Sequence, residues 1–94
     1  MKKCYIAGKV TGTTDYEERF SAAAKEVIEL GMLPVNPVTL LHSHDKRWSS
    51  YMRESLTAML ECDCIYLLEG YHLSEGALIE FHLANKLGFE IFNQ

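Results

Sequence analysis

The sequence predicts an α/β sandwich built on a parallel sheet. Two observations carry that expectation: short uninterrupted apolar runs of the kind buried on both faces of a sheet, and segments of helical periodicity that alternate with them along the whole chain. The 94 residues, 48% hydrophobic and 23% charged, suffice for one domain covering residues 1–94. Six Gly and two Pro are ordinary for a globular protein, which excludes disordered, collagen-like and low-complexity classes. A chain of this length folds to a radius of gyration of roughly 12 Å. The core is therefore thin, and any site lies close to the surface or to a subunit boundary.

Cys4 to Ala7 is a short apolar run stopped by Gly8, the pattern of a buried strand. Thr14 is placed to cap a helix with Glu17 three positions on, and Tyr16, Phe20, Ala23, Ala24, Val27 and Leu30 follow at helical spacing up to Gly31. Met32 to Val35 reads as a second strand ended by Asn36-Pro37, and the polar, histidine-bearing segment from Thr39 to Arg47 as a loop. A second helix is expected from about Trp48 to Glu61, with Trp48, Met52, Leu56, Met59 and Leu60 on one face and Ser55 among them. Cys64 to Leu68 has the composition of a central strand. After the loop Glu69 to Leu73, Ser74 caps a third helix running to about Leu87, with Gly88 just past its end, and Phe89 to Phe92 forms the last strand. Ligands of such sheets bind beyond the carboxyl ends of the strands, here Gly8 to Thr14, Asn36 to Arg47 and Glu69 to Ser74.

The net charge of −4 is uneven: residues 1–47 carry seven Lys/Arg against six Asp/Glu, and residues 48–94 two against seven. With no basic stripe to neutralise successive phosphates, a nucleic-acid polymer is not the expected partner. A single phosphorylated ligand held by amides and hydroxyls is compatible with this balance. No apolar stretch is long enough to span a bilayer, and the patch after Lys2-Lys3 is too short for a signal peptide. An odd count of three Cys points to reduced thiols and a cytoplasmic location.

Glu80 is the most informative residue. Ala77, Phe81, Ala84 and Leu87/Gly88 define the inward stripe of the third helix, and Glu80, at i+3 from Ala77, interrupts it. A carboxylate there either meets a buried partner and has a chemical task, or sits at the stripe's edge and reaches water. Ser74 precedes it by six residues, about 9 Å of helix axis. A phosphate at the amides of Glu75 and Gly76 would set the attached sugar beneath Glu80, unless Ser74 is only a cap. Gly8-Lys9-Val10-Thr11-Gly12 is a glycine and hydroxyl loop where phosphate or sugar contacts occur, but matches neither a Walker loop nor the dinucleotide fingerprint.

Tyr5 to Gly12, Asn36-Pro37, Trp48 with Tyr51-Met52-Arg53, Cys62-Asp63-Cys64-Ile65, Gly70 and the Ser74-x-Gly76-Ala77-x-x-Glu80 element together resemble the nucleoside 2-deoxyribosyltransferase superfamily. The similarity is greatest to its small bacterial and phage branch, beside the 2′-deoxynucleoside 5′-monophosphate N-hydrolases. The resemblance covers Cys4 to Phe92 and implies a Rossmann-like, flavodoxin-type three-layer sandwich with four to five parallel strands. It makes Glu80 the nucleophile at the anomeric carbon and Tyr5 the group that orients it. A carboxylate suits the oxocarbenium-like transition state of N-glycosidic cleavage, with a glycosyl-enzyme intermediate released to water or a second base. Ser74 stands where nucleoside-specific transferases carry Asp. It implies a 5′-monophosphate ligand, held also by Gly8, Thr11, Gly12 and Gly76.

Two departures bear on turnover. Ser55 occupies the place of an Asp that relatives use on the base or its leaving-group proton, so Asp45 or another group substitutes, or the protein binds without turnover as a nucleotide sensor or sponge. The hydrolases also draw on a neighbouring subunit's residue beyond the last strand, a contact not expected from a chain ending at Gln94. His42, His44, Asp45 and Trp48 are expected to form a lid over the base, with Trp48 or Tyr71 stacking on it. A zinc site from His42, His44, Cys62 and Cys64 is set aside, because the two Cys begin a buried strand. No metal or cofactor is expected, and the expected assembly is a homodimer through helix faces.

Overall fold

The structure is a computed structural model and describes residues 1–40 and 42–94. Leu41, inside the loop expected from Thr39 to Arg47, lies outside the described residues. Among the described residues the chain forms β1 (Lys3–Ala7), α1 (Tyr16–Glu29), β2 (Leu33–Val35), α2 (Trp48–Met59), β3 (Cys64–Leu67), α3 (Glu75–Lys86) and β4 (Glu90–Asn93). Short 3-10 turns at Pro37–Thr39 and Tyr71–Leu73 follow β2 and β3. The strands pair in the order β2-β1-β3-β4, all parallel. This is an α/β fold consistent with the expected Rossmann-like sandwich, and its order matches the first four strands of the flavodoxin-like arrangement. The radius of gyration is 12.1 Å.

Side-chain alternation along β1 and β3 builds two cores from one pair of strands. Cys4, Ile6, Cys64 and Tyr66 face Phe20, Ala23 and Val27 of α1. Tyr5, Ala7, Ile65 and Leu67 face Met59 at the end of α2 together with Ala77 and Ala84 of α3. Both central strands are buried throughout apart from Lys3, which is why they read as continuous apolar runs.

Three local expectations are corrected. The first helix takes Asp15 as its N-cap residue, and no side chain caps it. The helix starts at Tyr16, so Thr14 and Glu17 are out of register for a reciprocal box, and Asp15 instead pairs with Arg19 at 3.6 Å. The expected inward face of the second helix is buried only at Met59. Trp48 is 50% exposed, because the first half of α2 stands over a cavity instead of the sheet, and Leu60, at the C-cap just past the helix, is 55% exposed. In α3 the buried stripe is Ala77, Glu80 and Ala84. Phe81 is half-buried and Leu87 exposed, since the helix ends at Lys86 and Gly88, at φ +77°, turns the chain into β4. The Ser74 cap forms as expected, its Oγ accepting from Ala77 N–H at 3.1 Å.

Gly8 is required by close approach. A Cβ there would lie 2.9 Å from both Cβ and Cγ of Leu68, and Leu68 is itself buried. Gly8→Ala should therefore destabilise the protein by about 1–3 kcal/mol. Urea unfolding of Gly8→Ala, Leu68→Ala and the double variant should show less than additive loss, because trimming Leu68 vacates the space that the added methyl group needs.

Candidate functional site

A cavity of about 560 Å³ opens beyond the carboxyl ends of the strands. Gly8, Val10 and Thr11 come to it from the β1–α1 loop, and Pro37 and Val38 from the turn after β2. The first half of α2 supplies Trp48, Tyr51, Met52 and Ser55, and the start of α3 supplies Ser74, Gly76, Ala77 and Glu80. The volume suits one nucleotide-sized ligand.

Glu80 forms part of this wall while only 6% exposed. Its Oε2 accepts a hydrogen bond from the Tyr5 hydroxyl at 2.5 Å, and Tyr5 is fully buried in the strand beneath. Burial pushes the Glu80 carboxyl up to about 7, and the Tyr5 bond opposes that rise. Tyr5 is driven well above the ordinary phenol range, first by burial and then by the Glu80 charge. The phenol therefore keeps its proton and acts as donor. Ser55 faces the same phenol and opposes the rise. Carboxyls raised by burial and lining a cleft occur at catalytic sites, which makes Glu80 a candidate catalytic residue.

Ser74 and Gly76 bring the start of α3 to the cavity, where first-turn amides suit an anion. Because Ser74 Oγ already accepts from Ala77 N–H, its own hydrogen remains available as a donor. At Gly76 a Cβ would lie 3.0 Å from Met52 Sδ, so any side chain there must displace the cavity wall. On the opposite side Val10 O accepts from Thr13 N–H at 3.2 Å and from Thr13 Oγ1 at 2.9 Å. Arg19 Nη2 donates to Lys9 O at 2.7 Å, bracing the loop from behind.

The expected residues divide clearly. Gly8, Thr11, Trp48, Ser55, Ser74, Gly76 and Glu80 line the cavity, with Tyr5 directly behind Glu80. Gly12, Asp45 and Tyr71 do not line it. Gly12 turns the loop at φ +81°. Asp45 accepts from Ser50 Oγ at 2.6 Å and Arg47 N–H at 3.1 Å, bonds that lower its pKa, Ser50 most, and secure the entry to α2. Tyr71 packs against Phe81 at 5.6 Å between ring centroids, under α3. The Pro37-Val38 turn lies in the Asn36 to Arg47 segment expected to meet a ligand, whereas Tyr16, Glu17 and Tyr51 are wall residues that were not among the expected site residues. The Tyr51-Met52 pair, one turn after Trp48, was the available signal.

His42 also lines the cavity. His42 Nδ1 pairs with Glu54 Oε1, and His44 Nε2 lies 3.8 Å from Glu54 Oε2. The two imidazoles pack edge-on against Tyr51, at 5.0 and 4.5 Å. The donor atoms of His42, His44 and Glu54 lie within 4.8 Å of one another, a grouping that also suits an ion. His44 Nδ1, however, accepts from Lys46 N–H at 3.0 Å, which leaves the ring proton of neutral His44 on Nε2, the atom an ion would need free. Within the trio only His42 and Glu54 are hydrogen-bonded, and His44 Nε2 is buried without a hydrogen-bond partner among the described residues. Cys62 and Cys64 lie outside this group, buried at the start of β3 as free thiols; burial pushes the Cys62 thiol up to about 11.

The fold and the site together define a small α/β protein with a cavity at the carboxyl edge of its sheet and a buried carboxylate in the wall. The chain belongs to the family described as Domain of unknown function (DUF4406), whose model matches residues 2–93. No curated protein matches it.

Burial of Glu80 sets a pH dependence of stability. A carboxyl raised to about 7 in the fold and near 4.5 as its ordinary value binds more protons folded than unfolded between those pH values. Its contribution is full below pH 4.5 and is lost as pH rises through 7. Glu80→Gln, which cannot ionise, should remove a decline of about 2–4 kcal/mol across that window. Chemical denaturation of both proteins at pH 4.5, 6 and 8 checks it.

Proposed function

We propose that the protein cleaves or exchanges the N-glycosidic bond of a nucleoside or deoxynucleoside 5′-monophosphate, with Glu80 as nucleophile. The observation that carries this reading is the buried Glu80 carboxyl in the wall of a nucleotide-sized cavity, bonded to Tyr5 and six residues from the Ser74 cap. The resemblance to the deoxyribosyltransferase superfamily supports the same assignment.

In this mechanism phosphate rests on Ser74 and the first amides of α3, with the Gly8 to Thr11 loop opposite. That polarity sets the sugar against Glu80 and the base against Trp48 and Tyr51 under α2. Ionised Glu80 attacks the anomeric carbon, and the Tyr5 hydroxyl holds the attacking carboxylate in one orientation. Water or a second base then takes the sugar from Glu80. The free thiols of Cys4, Cys62 and Cys64 accord with a cytoplasmic setting. Among the described residues no helix is long and apolar enough to cross a membrane. A homodimer through helix faces belongs to the same proposal, supported by exposed Leu60, Ile79 and Leu87.

Incubation with a panel of nucleoside 5′-monophosphates, followed by chromatography for free base, should show release. Glu80→Ala should lower it on the order of 10³-fold or more. Nucleotide binding by calorimetry without base release would instead establish the sensor or sponge reading, which Ser55 in the cavity wall favours.

Activity should rise with pH through about 7 as Glu80 ionises. Because the Tyr5 bond holds that value down, Tyr5→Phe should move the acidic limb of the pH–rate profile to higher pH. An unmoved limb in Tyr5→Phe would separate Tyr5 from the nucleophile.

A further inference from the structure

Cleaving an N-glycosidic bond needs a proton for the departing base as well as a nucleophile for the sugar. Ser55 is in the cavity wall, but a hydroxyl is a poor acid at neutral pH. Among the described residues the wall carries five titratable side chains, Tyr16, Glu17, His42, Tyr51 and Glu80, and no Lys or Arg. Glu80 is committed to the sugar. Glu17 is exposed in the first turn of α1, beside the loop that faces the phosphate. Phenols hold their protons too firmly to match the task, whereas imidazole titrates closest to neutrality.

His42 has the geometry of an oriented acid. Its Nδ1 is engaged by Glu54 Oε1, which leaves Nε2 as the nitrogen free to serve the cavity. The ring is fixed by Tyr51 at 5.0 Å and by His44 at 5.7 Å, and Lys46 Nζ donates to the His42 carbonyl. The groups facing His42 are thus Glu54 and Tyr51 from α2 and His44 and Lys46 from its own loop. A carboxylate behind Nδ1 fixes the ring orientation and leaves Nε2 as the nitrogen turned to the cavity.

We propose that His42, oriented by Glu54, is the general acid that protonates the departing base, in place of the carboxylic acid absent at Ser55. The inference rests on the N-glycosidic reading of the site. In the first step a Glu80 oxygen bonds to the anomeric carbon. The carbon–nitrogen bond breaks with its electron pair going to the base, and the Nε2 proton of the imidazolium passes to that base. Neutral His42 and a glycosyl ester on Glu80 remain. Water then attacks the same carbon, the ester electron pair returns to Glu80, and His42 takes the proton from water. Glu54 is a positioning residue.

The test compares two substrates on the full chain: a deoxynucleoside 5′-monophosphate, and 4-nitrophenyl 2-deoxyribose 5-phosphate, whose leaving group departs as a stable anion. In single turnovers His42→Ala should slow release of base from the nucleotide by about 10²–10³-fold while slowing release of nitrophenolate less than tenfold, since that release precedes the attack of water that both substrates share. Glu54→Gln should give the same pattern in weaker form. Equal losses on both substrates, or no loss on the nucleotide, overturn the assignment while Glu80-dependent cleavage leaves the N-glycosidic reading standing. Cleavage of neither substrate by the wild type, or cleavage of both by Glu80→Ala at the wild-type rate, brings down that reading and this inference together.

Discussion

The hydrogen bond from Tyr5 to Glu80 is the constraint around which the rest of the molecule is arranged. It joins the middle of the central strand β1 to the second turn of α3. It also supplies a donor to a carboxyl that no cation accompanies: the influences on Glu80 are burial, which raises its pKa, and Tyr5, which lowers it. A pair of this kind costs folding free energy whenever the carboxyl is ionised, since burial disfavours the charge more than one phenol can restore. A leucine in place of Glu80 would continue the Ala77 and Ala84 stripe at no such cost. The fold therefore carries a destabilising buried charge between β1 and α3, the pattern expected where local stability has been given up for a site.

The order of elements was legible because the two central strands are buried on both faces, which leaves apolar runs too short for helices and bounded by Gly or charged residues. Ser74 was legible for a related reason: an N-cap is a local arrangement, and its residue type and spacing to the helix are enough to specify it. Glu80 stood out because a charge broke an otherwise apolar stripe. Each of these signals is contained within one segment of chain.

What escaped sequence reasoning depends on contacts between segments. Whether the Trp48-to-Leu60 face of α2 meets the sheet or a cavity is settled by where α2 docks, and its second half, from Leu56 to Met59, is the part that packs on the core. Periodicity reports a face to be covered without reporting what covers it. Tyr71 has the ring and the loop position of a base-stacking residue, yet it packs on Phe81. Asp45, an acid in a loop near the site, is consumed by Ser50 and Arg47 at the start of α2. Residues of similar local character, His42 in the cavity and Asp45 outside it, are separated by tertiary placement alone.

The uneven charge of the chain acquires a physical role once the cavity is defined. Its wall holds Glu17 and Glu80 but, among the described residues, no Lys or Arg. An anionic ligand must therefore find its compensation in dipoles, and these are concentrated at the start of α3, where Ser74, Gly76 and the first-turn amides meet the cavity. Arg19, behind the opposite loop, spends a donor on Lys9 O and acts by shaping that loop. This division keeps strong positive charge away from Glu80, so burial dominates its pKa and the carboxyl titrates near neutrality. A lysine in the wall would bind phosphate more tightly. It would also lower the Glu80 pKa, hold the carboxylate in an ion pair and weaken it as a nucleophile. Amides and hydroxyls at one end and an uncompensated carboxyl at the other would let one small cavity bind an anion, as the proposed function requires, without quenching the carboxylate.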